Sequence, residues 1–282
     1  VTVQAAPPSR LLDSRDLSSV SALLARDPVS SVFVAARLEV AGIDAMARSG
    51  ELWGYEEDGR LVSLCYAGAN LVPVAATPAA VRAFAWRARR SGRRCSSIVG
   101  PADAVLGLWD LLAPHWGPAR DVRPRQLVMA TERPGPVPPD PGVRLVRPDE
   151  IDALLPAAIA MFTEEVGVDP RADGGEPVYR ARVSELVHTG RAYARIERGS
   201  VVFKAEIGSV SARVCQVQGV WVRPDLRGRG LSVPGMAAVV EQALADHAPV
   251  VSLYVNDYNT RAVAAYRAVG LAEVGTFATV LF

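Results

Sequence analysis

Five prolines fall within the ten residues from Arg133 to Gly142. Each fixes φ and lacks a backbone donor, so the stretch can be neither helix nor central strand. It reads as an extended, semi-rigid connection between two folding units. Two domains are also what 282 residues lead one to expect. The reading is therefore a first domain over residues 1–132, a Pro-rich linker over 133–142, and a second domain over 143–282.

Half the residues are hydrophobic and 22% are charged, the balance of a folded globular chain. Acidic and basic residues nearly cancel, at 30 against 31. No long basic stripe exists, so binding to nucleic acid or to a membrane surface has little electrostatic support. The cluster Arg87, Arg89, Arg90, Arg93 and Arg94 reads as a solvated helix end. Lys204 is the only lysine; the arginine-for-lysine habit points to a GC-rich genome. Cys65, Cys95 and Cys215 are far apart and odd in number, against a disulfide framework. His115, His188 and His247 lack metal-ligand spacing, and no metal is expected. No signal segment is read at residues 1–12 and no apolar run of membrane-spanning length appears, so the expected location is cytoplasmic.

In the first half, residues 16–25 read as a helix stopped by Asp27 and Pro28. Residues 52–56 and 61–66 form a hairpin turned by Asp58 and Gly59. A helix over 78–90, a strand over 96–99, a helix over 102–112 and a strand over 126–130 follow. The second half reads as a strand over 143–146 and a helix to about Thr163 with Asp149 as its N-cap. A Gly/Asp loop over 167–175 and a helix over 178–187 come next. Strands at 191–197 and 201–207 flank a turn at Arg198 and Gly199; a further turn near Ser209 leads to a strand over 213–222. A polar loop over 223–230 enters a helix over 232–245. A strand at 250–255, a helix at 260–268 stopped by Gly270 and a strand at 277–282 complete the chain. The class is α/β (α+β). The two halves share an element order, which suggests duplication, without a residue-level repeat.

The most informative segment runs from Val220 to Ser232. A strand ends, a polar loop crosses, and a helix begins. Gly228 and Gly230 let the backbone bend where side chains would interfere. The first amides of a helix have no intrahelical partner and lie at the positive end of the dipole. Together they make an anion site suited to pyrophosphate, to which Arg227 and Arg229 add charge-assisted bonds. Pro234 fits the first helical turn, where no bond is lost. The segment is neither a Walker loop nor a dinucleotide fingerprint, for lack of the required spacing. Thirty residues on, Asn259, Ala262 and Tyr266 share one helix face. Asn259 can cap that helix, and Ala262 leaves room beside the Tyr266 phenol.

Together these motifs resemble the GNAT (GCN5-related N-acetyltransferase) superfamily. Arg227, Gly228, Arg229, Gly230, Leu231 and Ser232 are similar to its pyrophosphate turn, with Ser232 where Gly or Ala is usual. Asn259, Ala262, Tyr266 and Gly270 match its later motif, with Leu271 in place of Phe. The resemblance covers residues 143–282. The arrangement also resembles actinobacterial proteins with an uncharacterised domain before a GNAT domain. It implies a mixed, mostly antiparallel sheet splayed at the CoA site, and a first half that is a degenerate GNAT-like unit. Residues 69–74 occupy the place of the glycine turn there, so no CoA is expected in that half.

The resemblance further implies acetyl-CoA as cosubstrate, along the backbone of Val220, Trp221 and Val222, with contacts from residues 227–232, Asn256, Asn259 and Ala262. The Val220 backbone would polarise the thioester carbonyl. A primary amine would attack directly in a ternary complex. Tyr266 would protonate the departing thiolate. Glu206 is the candidate base, with pairing to Lys204 as its alternative; Glu164 and Glu165 border the acceptor entrance. The acceptor can be a small molecule, a peptide or a protein, and the first half can shape specificity or mediate homodimerisation. A non-catalytic acyl-CoA-binding regulator or scaffold, and transfer of a longer acyl chain, are the competing functions.

Overall fold

In a computed structural model of the chain, residues 9–46 and 50–282 are described; the expectation for residues 1–8 lies outside them. The chain forms two compact units that interleave in sequence. The first comprises Val1–Val128, Tyr254–Tyr258 and Val274–Phe282; the second comprises Met129–Leu253 and Asn259–Glu273. Among the described residues no helix is long and apolar enough to cross a membrane.

The chain opens with strand β1 (Ser9–Leu11) and helices α1 (Leu17–Leu24) and α2 (Pro28–Met46). Strands β2 (Gly50–Glu57), β3 (Arg60–Gly68) and β4 (Asn70–Val74) follow, then α3 (Pro78–Ser91), β5 (Ser97–Pro101), α4 (Ala102–Trp116) and β6 (Asp121–Thr131). After the Pro-rich segment come β7 (Arg144–Leu145), α5 (Ile151–Val166), α6 (Glu176–His188), β8 (Ala192–Glu197), β9 (Ser200–Val210) and β10 (Cys215–Val222). The last elements are α7 (Ser232–Asp246), β11 (Val251–Asn256), α8 (Thr260–Ala268) and β12 (Ala272–Leu281).

The strands of the first unit lie in the order β1-β2-β3-β4-β5-β12-β6. Alternation along them sends side chains to two helical layers, as period-two patterning requires. Trp53, Cys65, Leu71 and Ile98 pack with Phe84, Val105, Leu108 and Leu112 of α3 and α4. Leu52, Leu64, Tyr66 and Val72 pack on the other face with Val20, Leu23, Val34 and Leu38 of α1 and α2. The chain's final strand, β12, is antiparallel to β5, with Thr279 opposite Val99.

The strands of the second unit lie in the order β11-β10-β9-β8-β7. Leu154, Leu155, Ala158 and Met161 of α5 and Val183 and Leu186 of α6 pack on Ala192, Ala194, Val201 and Trp221. Gly235 of α7 lies so close to Phe203 that a Cβ there would come within 2.9 Å of the ring.

Several local expectations need correction. The first helix ends before Asp27 and Pro28 as expected, and these two residues also begin α2. Pro at a first helical position loses no hydrogen bond, and the Asp27 carboxylate accepts the Ser30 amide at 3.1 Å. Residues 69–74 do not occupy the place of the glycine turn but include strand β4; the link from strand to helix is residues 75–77. Asp149 does not cap α5. Glu150 accepts the Arg147 amide at 3.0 Å and pairs with Arg144 at 2.7 Å; the Arg144 hydrogen bond holds its carboxyl down at about 2. The turn expected near Ser209 forms at residues 211–214, where Ser211 Oγ accepts the Val214 amide at 3.1 Å. Arg87 and Arg93 of the basic cluster lie over aromatic rings, Trp53 at 5.4 Å and Phe282 at 4.7 Å.

The Pro-rich segment is fastened to the second unit. Asp140 donates its amide to the Pro234 carbonyl at 3.0 Å and accepts Arg195 at 2.9 Å. Gly135 meets the end of α8: a Cβ there would lie 2.4 Å from the Val269 carbonyl carbon and oxygen. Backbone atoms cannot rotate away as a side chain can. Gly135→Ala is therefore expected to lower stability by about 1–3 kcal/mol, measured by urea denaturation. An unchanged midpoint would mean the strap is not seated there.

Candidate functional site

Two strands define the site. β10 pairs in parallel with β11 only at Cys215 with Val251 and Gln216 with Ser252. β10 itself continues to Val222. On its other side β10 is antiparallel to β9, but the register shifts between Gln218 and Trp221. Gly219 and Val220 lie inside that shift as a β-bulge. A bulge bends the strand and re-aims the residues around it.

Gly219 is required at the bulge for two reasons. Its φ is +60°, and a Cβ would meet Met161 Cε at 2.9 Å, Glu206 Cδ at 3.0 Å and Lys204 Nζ at 3.0 Å. Those atoms belong to a buried polar network. Lys204, only 1% exposed, donates to the Gly219 carbonyl at 3.0 Å and to Glu206 Oε2 at 3.1 Å. Gln218 Nε2 donates to Glu206 Oε1 at 2.9 Å. The Gln218 side chain lies over Gly208, where a Cβ would come within 2.2 Å of it.

Glu206 is thus not an exposed strand residue; it is 7% exposed. Burial opposes its charge, but the Lys204 ammonium and the Gln218 amide prevail and hold its carboxyl below the ordinary range. Both oxygens are engaged and proton affinity is reduced, which disfavours a base and favours an ion-pair partner. Lys204, Gln218 and Gly219 were not singled out for the site from sequence. The signal for Lys204 was available: it is the one lysine among 31 basic residues.

The turn after β10 is exposed from Arg227 to Gly230. Gly228 and Gly230 both have φ of +77°, with no atom within 4 Å of a built Cβ. Their need for glycine is conformational, and the space beside them is open. α7 starts without a side-chain cap, because Leu231 occupies the N-cap position. Its first intrahelical bond is from the Gly235 amide to Leu231 at 3.1 Å. The amides before it, at half-buried Ser232 and Val233, have no intrahelical acceptor. Pro234 lies within the first turn, as expected.

Arg227 is directed elsewhere than expected. Its Nε donates to the Val222 carbonyl at 2.9 Å, and its terminal nitrogen pairs with Glu164 at 2.6 Å. Glu164 also accepts the Trp221 indole N–H at 3.2 Å. The structure therefore joins an expected acceptor-side carboxylate to an expected pyrophosphate arginine. The Trp221 side chain packs into the core beneath α5 and α6, so only its backbone lines β10. Arg229 remains exposed.

α8 brings in the remaining residues. Asn259 caps it by accepting the Ala262 amide at 3.3 Å, and Ala262 is half-buried. Tyr266, one turn on, is 8% exposed. Its hydroxyl has no hydrogen-bond partner among the described residues. Burial pushes the phenol well above its ordinary pKa, and Glu165 adds to the shift. Asn256 belongs to the first unit. Its side-chain oxygen accepts Gln126 at 2.9 Å, and Gln126 in turn accepts Thr279 at 2.6 Å.

The first unit lacks these features at the corresponding place. Its link from β4 to α3 is residues 75–77, and Thr77 caps α3 by accepting the Ala80 amide at 3.2 Å. A Cβ on Gly100 of β5 would lie 3.3 Å from the Pro73 carbonyl of β4, so those strands stay close. Among the described residues no group of three or more His, Cys, Asp or Glu could hold a metal.

Removing one partner of a buried ion pair leaves the other charge unmatched. Glu206→Leu is therefore expected to cost about 3–5 kcal/mol of stability, and adding Lys204→Met to recover part of it, the Gly219 carbonyl then lacking its donor. Urea denaturation of both variants tests this; an undiminished loss in the double variant would show that the pair is not the cause.

Residues 170–271 match the acetyltransferase (GNAT) family model, and residues 50–154 match a domain of unknown function (DUF4081). No curated protein is similar enough in sequence to match the chain. Among solved structures, a GCN5-related N-acetyltransferase from Sphaerobacter thermophilus aligns with a TM-score of 0.58 at 17% identity, covering 99% of this chain and 96% of that one. A GNAT-family acetyltransferase from Colwellia psychrerythraea gives 0.56 at 12% identity, covering 98% and 99%. A tandem GNAT protein from the clavulanic acid biosynthesis pathway gives 0.50 at 16%, covering 96% and 97%. Identities this low establish the fold, and they do so across both halves. Residues 170–271 are thus similar to the acetyltransferase (GNAT) family, and the fold shared with GNAT structures extends over both halves of the chain.

Proposed function

We propose that residues 143–282 bind acetyl-CoA and transfer its acetyl group to a primary amine by direct attack in a ternary complex. The observation that carries this reading is the uncapped start of α7 behind two positive-φ glycines. Oriented amides with open space beside them suit a diphosphate. Arg229 adds charge there. Arg227, engaged by Val222 and Glu164, fastens the turn to β10 and α5.

Beyond Gln216 β10 has no ladder with β11, and in this reading an extended chain pairs with its backbone in the manner of an added strand. The amine must attack in its neutral form. At a pKa of about 10.4, neutralising a lysine-like amine at pH 7 costs roughly 4–5 kcal/mol. Tyr266 suits the role of proton donor to the leaving thiolate: its raised pKa keeps it protonated at neutral pH, and its hydroxyl is not otherwise engaged. In this reading Glu206 supports the bulge as the partner of Lys204.

Calorimetry with acetyl-CoA and an amine-panel assay of CoA release test the proposal together. Gly230→Trp should abolish acetyl-CoA binding by filling the open side of the turn. Tyr266→Phe should lower kcat about 100-fold and leave acetyl-CoA affinity within a factor of about two. Binding of acetyl-CoA without CoA release on any amine would instead mark a non-catalytic acyl-CoA-binding protein. Absence of binding to any acyl-CoA would end the reading altogether.

A further inference from the structure

The basic cluster at the end of α3 divides unequally. Arg87 lies over the Trp53 ring, Arg90 over Trp86 at 4.8 Å and Arg93 over Phe282. Arg94 has no hydrogen-bond or ion-pair partner among the described residues. It lines a cavity of about 390 Å3 that lies wholly within the first unit.

The cavity exists because neighbouring residues are small. Gly50 pairs with Gly68 and Glu51 with Ala67 at the end of the β2–β3 hairpin, and Ala69 follows. Side chains of this size leave the space beside the last turns of α3 and α4 unfilled; those helices end at Ser91 and Trp116, which also line it. The place is at the far end of α3 from the link at residues 75–77. It is therefore not this unit's counterpart of the turn after β10.

The walls carry both charges. Glu51 accepts the Trp53 indole N–H on Oε2 at 2.6 Å, with Arg87 3.9 Å from the same oxygen. Its Oε1 has no partner among the described residues. Arg94 offers a free guanidinium, a fork that can hold a carboxylate by two bonds. The C-terminal ends of α3 and α4 add partial negative charge, which favours a cation. Trp53 and Trp116 supply apolar surface. Trp116 also buries its indole N–H without an acceptor, a need that the fold leaves unmet. The volume and the mixture of apolar walls with a few polar groups suit a small molecule. A purely anionic ligand would be repelled by Glu51, and a purely cationic one by Arg94. A ligand carrying both charges matches both groups.

We propose that this cavity binds a free α-amino acid with an apolar side chain, its ammonium at Glu51, its carboxylate at Arg94 and its side chain against Trp53 and Trp116. All these residues fall in the stretch that matches the domain of unknown function. The inference does not rest on the acetyl-transfer reading.

Calorimetry of the full chain with L-phenylalanine and L-leucine tests it, beside phenylpropionate and phenethylamine, which each lack one of the two charges. At least one of the amino acids should bind, and both analogues should bind about 10-fold or more weakly than L-phenylalanine or not at all. Glu51→Gln keeps an acceptor for the Trp53 indole, and Arg94→Gln alters an exposed side chain. Both variants should keep the wild-type urea midpoint and weaken the amino acid about 10-fold or more. The bound amino acid should also slow alkylation of wild-type Cys95 by N-ethylmaleimide. Cys95 lines the cavity, whereas Cys65 and Cys215 are buried. Binding that both variants leave unchanged, or that leaves Cys95 unprotected, belongs to another place such as an acceptor cleft and overturns the proposal. So does a singly charged analogue that binds as tightly as the amino acid, or a failure of both amino acids to bind.

Discussion

The site is built around one extra residue in β10. A strand with an antiparallel neighbour on one side and a parallel neighbour on the other normally commits its amides and carbonyls to ladders. Here the ladder with β11 ends after Gln216, and the ladder with β9 slips at Gly219 and Val220. The second interruption follows closely on the first, so Gly219 and Val220 stand outside the register of both ladders. Gly219 makes this possible because it takes a positive φ among three close side-chain atoms. The buried Lys204–Glu206 pair then fixes the carbonyl that the bulge would otherwise leave unmatched. A buried carbonyl without a donor is costly, so bulge and ion pair stabilise each other.

The two units show how one element order supports different chemistry. Each places a hairpin, a third strand, a link, a helix and a strand parallel to the third in succession. In the first unit the link has three residues and Thr77 satisfies the helix start internally. In the second it has nine residues, from Arg223 to Leu231, and ends on a residue that cannot cap. A capped helix start has used a donor that an anion would need. The difference between an anion site and a plain turn thus lies in loop length and the residue at one cap. In the first unit Pro73 also lies close beside Gly100, so β4 and β5 stay together past their last paired residues.

Local chemistry was legible in the sequence where a single residue dictates a backbone state. Asp58 with Gly59 and Arg198 with Gly199 take the positive φ angles that their hairpins need. The helix over residues 260–268 has the expected ends because Asn259 caps it and Gly270, at φ of +93°, stops it. The pyrophosphate-like turn stood out for the same reason. Proline's meaning depends on position: Pro28 follows the end of one helix and opens the next, and Pro73 lies within a strand. Non-local pairing left no local trace. Nothing around residues 272–281 announces that β12 pairs with β5 of the first unit.

Residue identity within a motif is a weaker guide than residue scarcity within the chain. Arg227 matches the first position of the pyrophosphate turn, yet its nitrogens go to Val222 and Glu164. In an arginine-rich chain a guanidinium at a given place says little about its task. Lys204 is the reverse case: it matches no motif, but a chain that retains one lysine retains it where only an ammonium fits. The fold needs a cation at that point to neutralise Glu206, and the bulge needs a donor small enough to stand beside Gly219. A single side chain meets both needs, and its neighbours Gly208 and Gly219 are the residues that leave it and Gln218 the space to do so.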